Sequence, residues 1–245
     1  MSTTSTGAIK IRRLDTSYVE AIFALHKTVY EHVGDNHIYR GREFAHIEEV
    51  FAPDAMCFGA FHEGALVGYS SVRFPDADHR GMSAEFGFTP ARILMLAEFD
   101  ASCVIPVSRG MGLQALLIEA RARASLIRGR PLSLATVGPK NVYSLRNFLA
   151  YGMRGVALRR LPSGEDRFVM ARDHGDSYTR AETRRARHPV GQTHDEIQHV
   201  LRSGGQLDRV VKEGESWLHE FVWFADTANE RSWVDTFEAR DFFGE

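Results

Sequence analysis

The sequence predicts an α/β protein in which a mixed central sheet is flanked by helices and followed by an aromatic-rich C-terminal appendage. Apolar residues recur at every second position in some segments and at every third or fourth position in others, which is typical of strands and helices respectively. Strand-like and helix-like segments alternate in the second half of the chain. With 245 residues, of which 44% are apolar, the chain can bury one sizeable core and still carry an appendage.

The N-terminal part of the chain predicts a strand, two helices and a hairpin. The strand covers Ile9–Leu14. Ser17 and Glu20 then have the spacing of a capping box, ahead of an amphipathic helix that should end near Gly34. Glycine and proline signals separate the next elements, which are a helix over 42–51 and paired strands over 56–61 and 66–74 joined by a turn at 62–64.

The second half predicts a central strand over Arg92–Ile105 and a long helix over Gly110–Arg128. The elements that follow are a strand over 132–137, a helix over 141–151, a hairpin of 156–161 and 168–172, and a helix over 195–201. Past Arg172 the chain becomes rich in arginine and then in aromatic residues, which bury large apolar areas. We therefore expect packed side chains at Trp217, Phe221, Trp223, Phe224, Trp233, Phe237, Phe242 and Phe243.

Charge is spread unevenly along the chain, although the net charge is only −2. Residues 109–187 carry a net +10 (16 Lys and Arg against 6 Asp and Glu), which leaves −12 for the rest. Such asymmetry can mark an anion-binding half, but acidic and basic segments that are separate in the sequence can also pack side by side in space. Two widely spaced cysteines, a polar start and no apolar run of about 20 residues predict a cytoplasmic protein that does not enter a membrane.

The segment from Val104 to Leu113 passes from a buried strand through a glycine-containing turn into a helix. The first turn of a helix leaves amide N–H groups without partners, and these groups bind anions together with the helix dipole. Glycines at 110 and 112 let the backbone approach a bulky pyrophosphate, and Arg109 adds positive charge. Taken alone, the pattern also fits an ordinary strand-to-helix turn.

The surrounding residues resemble the GNAT acyltransferase superfamily over roughly Ile9–Asp173. The family motif R/Q-x-x-G-x-G/A is matched in its first five positions, and Gln114 stands where a small residue is usual. The matching residues are Arg109, Gly110, Met111, Gly112 and Leu113. Downstream, the order Asn141, Ser144, Phe148, Tyr151, Gly152, Met153 is similar to the N-x-x-S/A helix of the family and its Gly-Phe ending, with Met153 in place of Phe.

The resemblance implies a GNAT domain over 1–173 that uses acetyl-CoA or another acyl-CoA, and an appendage over 174–245 that packs on it or in an oligomer interface. It implies that Cys103, Val104 and Ile105 offer backbone groups to the pantetheine arm, and that the amides of 109–113 hold the pyrophosphate. Asn141 and Ser144 would contact the cofactor, although Asn141 can also cap a helix.

Two carboxylates in the predicted central strand, Glu98 and Asp100, are the candidates for the base that takes a proton from the acceptor amine. Glu98 is preferred, but either residue could instead face solvent or pair with an arginine. Phe148 stands where the family usually has a tyrosine acid, so the usual proton donor is missing. No histidine or cysteine spacing predicts a metal site.

Three functions stay open at this point. The first is an N-acyltransferase that acts on a small-molecule amine, with a homodimer as a possible assembly. The second is an aminoacyl-tRNA-dependent transferase of the same fold, for which a basic cluster would contact phosphates. That cluster is Arg180, Arg184, Arg185 and Arg187. The third is a catalytically silent module that binds acyl-CoA or a partner protein.

Overall fold

A computed structural model describes residues 8–35, 38–39, 44–78, 81–86, 88–175 and 181–225. These residues form ten strands and seven α-helices in one mixed sheet with flanking helices, as the sequence predicts. The strands are β1 Lys10–Leu14, β2 Ala55–His62, β3 Ala65–Arg73, β4 Leu96–Val104, β5 Leu132–Val137, β6 Arg154–Arg160, β7 Asp166–Asp173, β8 Glu182–Pro189, β9 Gln206–Glu213 and β10 Ser216–Phe224. The helices are α1 Val19–Val33, α2 Phe44–Glu48, α3 Met82–Glu85, α4 Pro90–Ile93, α5 Leu113–Ile127, α6 Val142–Ala150 and α7 His194–Arg202.

The strand order is β1-β2-β3-β4-β5-β7-β6-β9-β10-β8. Only β4 and β5 run parallel, and the other paired strands of the described residues are antiparallel. The parallel pair lies near the middle of the sheet. Helix α5 connects β4 to β5, as a parallel connection requires.

Helix α1 begins differently from the prediction. Ser17 and Glu20 do not form the expected capping box, because the Asp15 side chain accepts the Ser17 amide (3.0 Å) and starts a 3-10 turn ahead of the helix. Asp is as good a cap as Ser, and here it comes two residues earlier. The predicted end is confirmed, since Gly34 caps the helix with a left-handed φ of 61°.

The predicted strand over Arg92–Ile105 is too long at its N-terminal end. Thr89 caps the short helix α4 through a hydrogen bond from the Arg92 amide (3.4 Å), and Pro90 occupies the first helical turn. The strand β4 therefore begins only at Leu96. The apolar residues of α4 extend the pattern of the strand, which explains why the two were merged.

The C-terminal residues extend the sheet with strands that the sequence pattern did not reveal. Strand β9 joins β6 at one register pair, Gly155 with Leu207, and β10 and β8 follow outward. Phe221 is fully buried as expected and its ring lies 6.3 Å from that of Phe168 in β7. The boundary at 173 stays a prediction, and Trp233, Phe237, Phe242 and Phe243 lie outside the described residues.

His219 of β10 is buried in the aromatic cluster with Phe168 and Phe221. Its Nε2 atom donates a hydrogen bond to the Pro139 carbonyl (3.0 Å), which lies in the turn between β5 and α6. Burial lowers the pKa of His219 to about 4, although the hydrogen bond to Pro139 opposes this shift. The imidazole is therefore neutral in the folded protein at pH 7.

We predict that this histidine makes the protein acid-sensitive between pH 6.5 and 4. The unfolded chain binds a proton at His219 in this window and the folded chain does not, so the stability falls as the pH falls, by up to about 3 kcal/mol. Urea unfolding at pH 7.5 and pH 5 measures this slope. His219→Gln should flatten it and His46→Gln, at an exposed position, should not. Equal slopes in all three proteins would contradict the assignment.

Candidate active site

The parallel strands β4 and β5 pair only at one end and then separate. Their register runs from Leu96 with Leu132 to Phe99 with Ala135, whereas β4 continues to Val104. Past Phe99 the described residues of β4 pair with β3 alone. One edge of β4 is therefore left without a partner strand, and its backbone groups border a gap in the sheet.

An extra residue in β4 coincides with this separation. Ser102 pairs with Ser70 and Phe99 with Val72, so that two residues of β4, Asp100 and Ala101, face the single residue Ser71. This is a β-bulge, which bends a strand and increases its twist. The Ser71 hydroxyl accepts a hydrogen bond from the Ala101 amide (3.2 Å), so the amide that the bulge removes from the ladder has a partner.

The gap opens into a cavity of about 180 Å³. Strand β4, the end of β5 and helix α6 contribute most of its walls, and α1, residues 38–39, α3 and the β6–β7 hairpin contribute the rest. The lining residues are His26, Ile38, Tyr39, Met82, Phe99, Asp100, Ala101, Ser102, Thr136, Val137, Gly138, Asn141, Ser144, Phe148, Leu161 and Arg167.

The two candidate carboxylates lie in different surroundings. Asp100, in the bulge, lines the cavity. Glu98 is buried (3% exposed) outside the lining, and its carboxylate accepts a hydrogen bond from the Ser83 amide (2.6 Å) at the start of α3. Glu98 thus fixes a helix against the sheet, and only Asp100 is placed to meet a molecule in the cavity directly. The role of either residue as a base stays a prediction.

The predicted donor-binding segment forms an open turn ahead of α5. Gly110 and Gly112 have left-handed φ angles of 83° and 73°, and the helix itself begins at Leu113 rather than at Gly110 as predicted. No side chain caps the first turn of α5, and Arg109 is exposed beside it. The turn therefore presents backbone N–H groups and one cation, which together suit an anion. Met111 is half-buried and Leu113 anchors the helix in the core.

The predicted contacts of Cys103, Val104 and Ile105 involve the free edge of β4. Cys103 pairs with Tyr69 of β3 and its side chain is buried, while the Ile105 amide donates to the Val67 carbonyl (3.0 Å). These bonds occupy the side of the strand that faces β3. The opposite side borders the gap, where a bound molecule could complete the ladder.

Asn141, Ser144 and Gln114 form a network across the start of α6. The Asn141 side-chain Oδ1 atom accepts from the Ser144 amide (3.1 Å), so Asn141 caps the helix, and its Nδ2 donates to the Ile38 carbonyl (3.0 Å). Gln114 of α5 donates to the Ser144 hydroxyl (2.9 Å) and accepts from Asn147 (2.7 Å). The departure of Gln114 from the family motif thus has a structural reason, because its amide joins the two helices beside the cavity.

Phe148 forms one wall of the cavity and covers a buried cation. The guanidinium carbon of Arg121 lies 5.6 Å from the ring centre of Phe148 and 4.6 Å from that of Phe99. Arg121 is fully buried, and its Nη1 and Nη2 atoms make no hydrogen bond to the described residues. Burial lowers the pKa of Arg121 to about 9, an effect that the charge of Asp100 opposes.

Sequence analysis missed three ionisable residues of the cavity, His26, Tyr39 and Arg167. The position of His26 on the apolar face of α1 was a signal for it, since a histidine there must find a partner once buried. Tyr39 and Arg167 carry no comparable signal. They enter the cavity through a loop and a hairpin whose positions depend on the whole fold.

The basic cluster proposed for tRNA is paired with carboxylates in the structure. Arg185 of β8 contacts Asp208 (2.7 Å) and Glu220, and Arg187 contacts Glu220 (2.6 Å). Arg184 lies over the ring of Trp223 and Arg180 lies outside the described residues. The charges of Arg185 and Arg187 are therefore largely compensated by neighbouring strands.

No helix of the described ranges is long and apolar enough to cross a membrane. That part of the chain also contains no group of three or more His, Cys, Asp or Glu side chains that could hold a metal ion.

Neither a family model nor a curated protein sequence matches this chain, but solved structures do. The ribosomal-protein-S18-alanine N-acetyltransferase from Escherichia coli superposes with a TM-score of 0.53 at 14% identity, over 70% of this chain and 97% of that one. YncA from Salmonella typhimurium, solved with its cofactor acetyl-CoA, gives 0.54 at 18% identity over 70% and 97%. The chain has the GNAT fold.

A third matching structure contains both an acceptor substrate and coenzyme A. Diaminobutyrate acetyltransferase EctA from Paenibacillus lautus, in complex with L-2,4-diaminobutyric acid and coenzyme A, gives a TM-score of 0.51 at 16% identity, over 71% of this chain and 99% of that one. The GNAT fold inferred from the two motifs is thereby confirmed. Each of these proteins matches almost in full and leaves about three tenths of this chain without a counterpart.

We predict that Arg121 lowers the free energy of unfolding of this protein. A buried cation whose Nη atoms lack hydrogen bonds is unfavourable, and a methionine of similar length fills the same space. Arg121→Met should raise the free energy of unfolding by about 1 kcal/mol, measured by urea unfolding. Arg123→Met, two residues along the same helix at an exposed position paired with Glu119, is the control and should change it by less than about 0.5 kcal/mol. A clear loss of stability in Arg121→Met would contradict the prediction.

Proposed function

We propose that this chain is an N-acyltransferase that moves an acyl group, in the first instance acetyl, from acyl-CoA to the amine of a small molecule. The observation that carries the proposal is the juxtaposition of two features at one place in the GNAT fold. The unpaired edge of β4 borders a cavity, and β4 leads into the uncapped start of α5. A donor whose phosphates bind at the helix start can lay its pantetheine arm along the strand and bring its thioester into the cavity.

The donor half of the proposal uses the residues that the motifs single out. The amides of 109–113 and the Arg109 guanidinium would hold the pyrophosphate. The backbone of 103–105 would bind the pantetheine amides, as a strand would bind its neighbour. Asn141 and Ser144 line the cavity from α6 and would contact the arm there. YncA with acetyl-CoA and EctA with coenzyme A support this choice of ligand.

The acceptor half rests on the polarity of the cavity. Asp100 lies in its wall, and a carboxylate attracts an amine and can orient it toward the thioester carbonyl. The acidic residues of the N-terminal part would also favour a cationic substrate. EctA, which is complexed with diaminobutyric acid, supports a small amine as the acceptor. The cytoplasmic location and the homodimer stay predictions.

No contact in the described residues favours the tRNA-dependent reaction, because Arg185 and Arg187 already pair with carboxylates. The silent binding module was suggested by Phe148 and Gln114. Gln114 now has a structural role between α5 and α6, and Phe148 covers Arg121. Both functions are therefore kept as outcomes of the test rather than as proposals.

We predict that saturating acetyl-CoA raises the thermal midpoint of unfolding. A ligand at about 100 times its dissociation constant adds roughly 2.7 kcal/mol, which corresponds to about 5 to 10 °C for a chain of this size. Gly112→Asp should abolish the shift, because its carboxylate would repel the pyrophosphate at the start of α5. Differential scanning fluorimetry of both proteins measures the effect.

The matched control is Gly129→Asp at the other end of the same helix. Gly129 has a φ of 69°, close to the 73° of Gly112, and a Cβ at either position meets no atom within 4 Å. Both variants thus bear similar backbone strain, and only the first should lose donor binding. Absence of a shift with acetyl-CoA, CoA and longer acyl-CoAs in the unmodified protein would refute the proposal and make charged tRNA the next ligand. A shift without any turnover would identify a binding module.

A further inference from the structure

Two cavity residues form a hydrogen-bonded pair that the donor motifs do not include. The Tyr39 hydroxyl lies 2.6 Å from the Nδ1 atom of His26, and the two ring centres are 5.0 Å apart. Both residues line the cavity between β4 and β5. His26 is held on the buried face of α1 and is 3% exposed, so its imidazole has little freedom to move.

Tyr39 is fixed from two directions. Its amide donates to the Asp35 carbonyl (2.9 Å), which forms a turn just past the end of α1. The adjoining carbonyl of Ile38 accepts the hydrogen bond from Asn141, the residue that caps α6. The pair therefore joins α1 to the helix that forms the opposite wall of the cavity, and the hydroxyl is held in place before any substrate binds.

Acyl transfer from a thioester to an amine moves one proton from nitrogen to sulfur. The amine attacks the thioester carbonyl and its nitrogen becomes positively charged, and the departing thiolate must then be neutralised. The Phe148 ring cannot carry this proton. Of the side chains that line the cavity, Tyr39 is the one whose phenol hydroxyl is joined to an imidazole.

We propose that the Tyr39–His26 pair carries the proton from the acceptor nitrogen to the leaving sulfur, an inference that rests on the proposed function. When the C–N bond has formed, the ammonium gives a proton to the Tyr39 oxygen while the hydroxyl proton passes to Nδ1 of His26. When the C–S bond breaks, Tyr39 gives its proton to the sulfur and takes back the proton from Nδ1. The pair ends in its starting state, and the products are the amide and the free thiol.

This assignment divides the work among three side chains. Tyr39 meets the reacting atoms and is the catalytic residue, whereas His26 acts through Tyr39 by holding the proton between the two steps. Asp100, in the wall formed by β4, orients the amine by its charge. An imidazole is suited to store a proton because its unprotonated ring nitrogen can accept one and return it.

The test uses acetyl-CoA with hydroxylamine, 2,4-diaminobutyrate and kanamycin as acceptors, and follows release of the thiol above the rate measured without protein. Tyr39→Phe should lower kcat by about 100-fold or more while the acetyl-CoA thermal shift is retained. His26→Gln should also lower kcat with little change in the KM for acetyl-CoA, because it removes proton storage and not the donor site. Tyr30→Phe, on the exposed side of α1, is the matched control and should keep wild-type activity.

A second measurement separates a chemical role of Tyr39 from a structural one. An acetyl thioester of an aromatic thiol has a less basic leaving group, which needs no protonation. The Tyr39→Phe defect should therefore shrink by at least about tenfold with this donor, since general acid catalysis of departure is no longer required. A misfolded or distorted site would lose activity equally with both donors.

The outcomes distinguish a failure of the Tyr39–His26 proposal from a failure of the proposed function. If the Tyr39→Phe variant turns over acetyl-CoA within about threefold of the wild-type rate, the proton shuttle is overturned and the proposed transferase function still stands. A defect of equal size with both donors also overturns the shuttle. Wild-type protein that releases no thiol with any of the three acceptors, even though it binds acetyl-CoA, overturns the transferase and the shuttle with it.

Discussion

The hydrogen bond between the Ala101 amide and the Ser71 hydroxyl is the interaction on which the site depends. An extra residue in β4 removes an amide from the ladder, and a buried amide without a partner is costly. With Ser71 as its partner, the bulge can persist in the middle of a large sheet. Beyond it β4 no longer pairs with β5, so a strand edge, a carboxylate and a cavity occur together at one position.

The start of α6 connects the rest of the molecule to that cavity. Asn141 caps the helix and holds the Ile38 carbonyl, and Gln114 ties the same turn to α5. From the other side, His219 of β10 donates to the Pro139 carbonyl just ahead of the helix. The strands beyond β6 also pack against α6, where the Trp217 ring of β10 contacts Tyr143 and Arg146, although they contribute no lining residue among those described.

The extent of the sequence prediction follows from how local each signal is. Strand β5 and the end of α1 at Gly34 were predicted correctly because apolar alternation and a C-terminal glycine act within a few residues. Strand β8 was missed because its arginines pair with carboxylates on strands that are distant in the sequence, and no local pattern marks such a strand. The bulge in β4 was also missed, because no local pattern marks it. The different surroundings of Glu98 and Asp100 were missed with it, since two carboxylates two residues apart look equivalent in a regular strand.

The phenylalanine at 148 is better understood as a consequence of Arg121 than as a loss. Among the described residues, the Nη atoms of the buried guanidinium have no hydrogen-bond partner, and its charge is compensated by the faces of Phe99 and Phe148 and by the charge of Asp100. A phenol on that wall would lie next to a buried cation, which stabilises the phenolate, so the group would take its proton back less readily. On the opposite wall, α1 places His26 against Tyr39, which provides a phenol already bonded to a base. In the proposed reaction, proton transfer and cation burial would thus be separated across one small cavity, and an aromatic residue without a hydroxyl at position 148 would be compatible with acyl transfer.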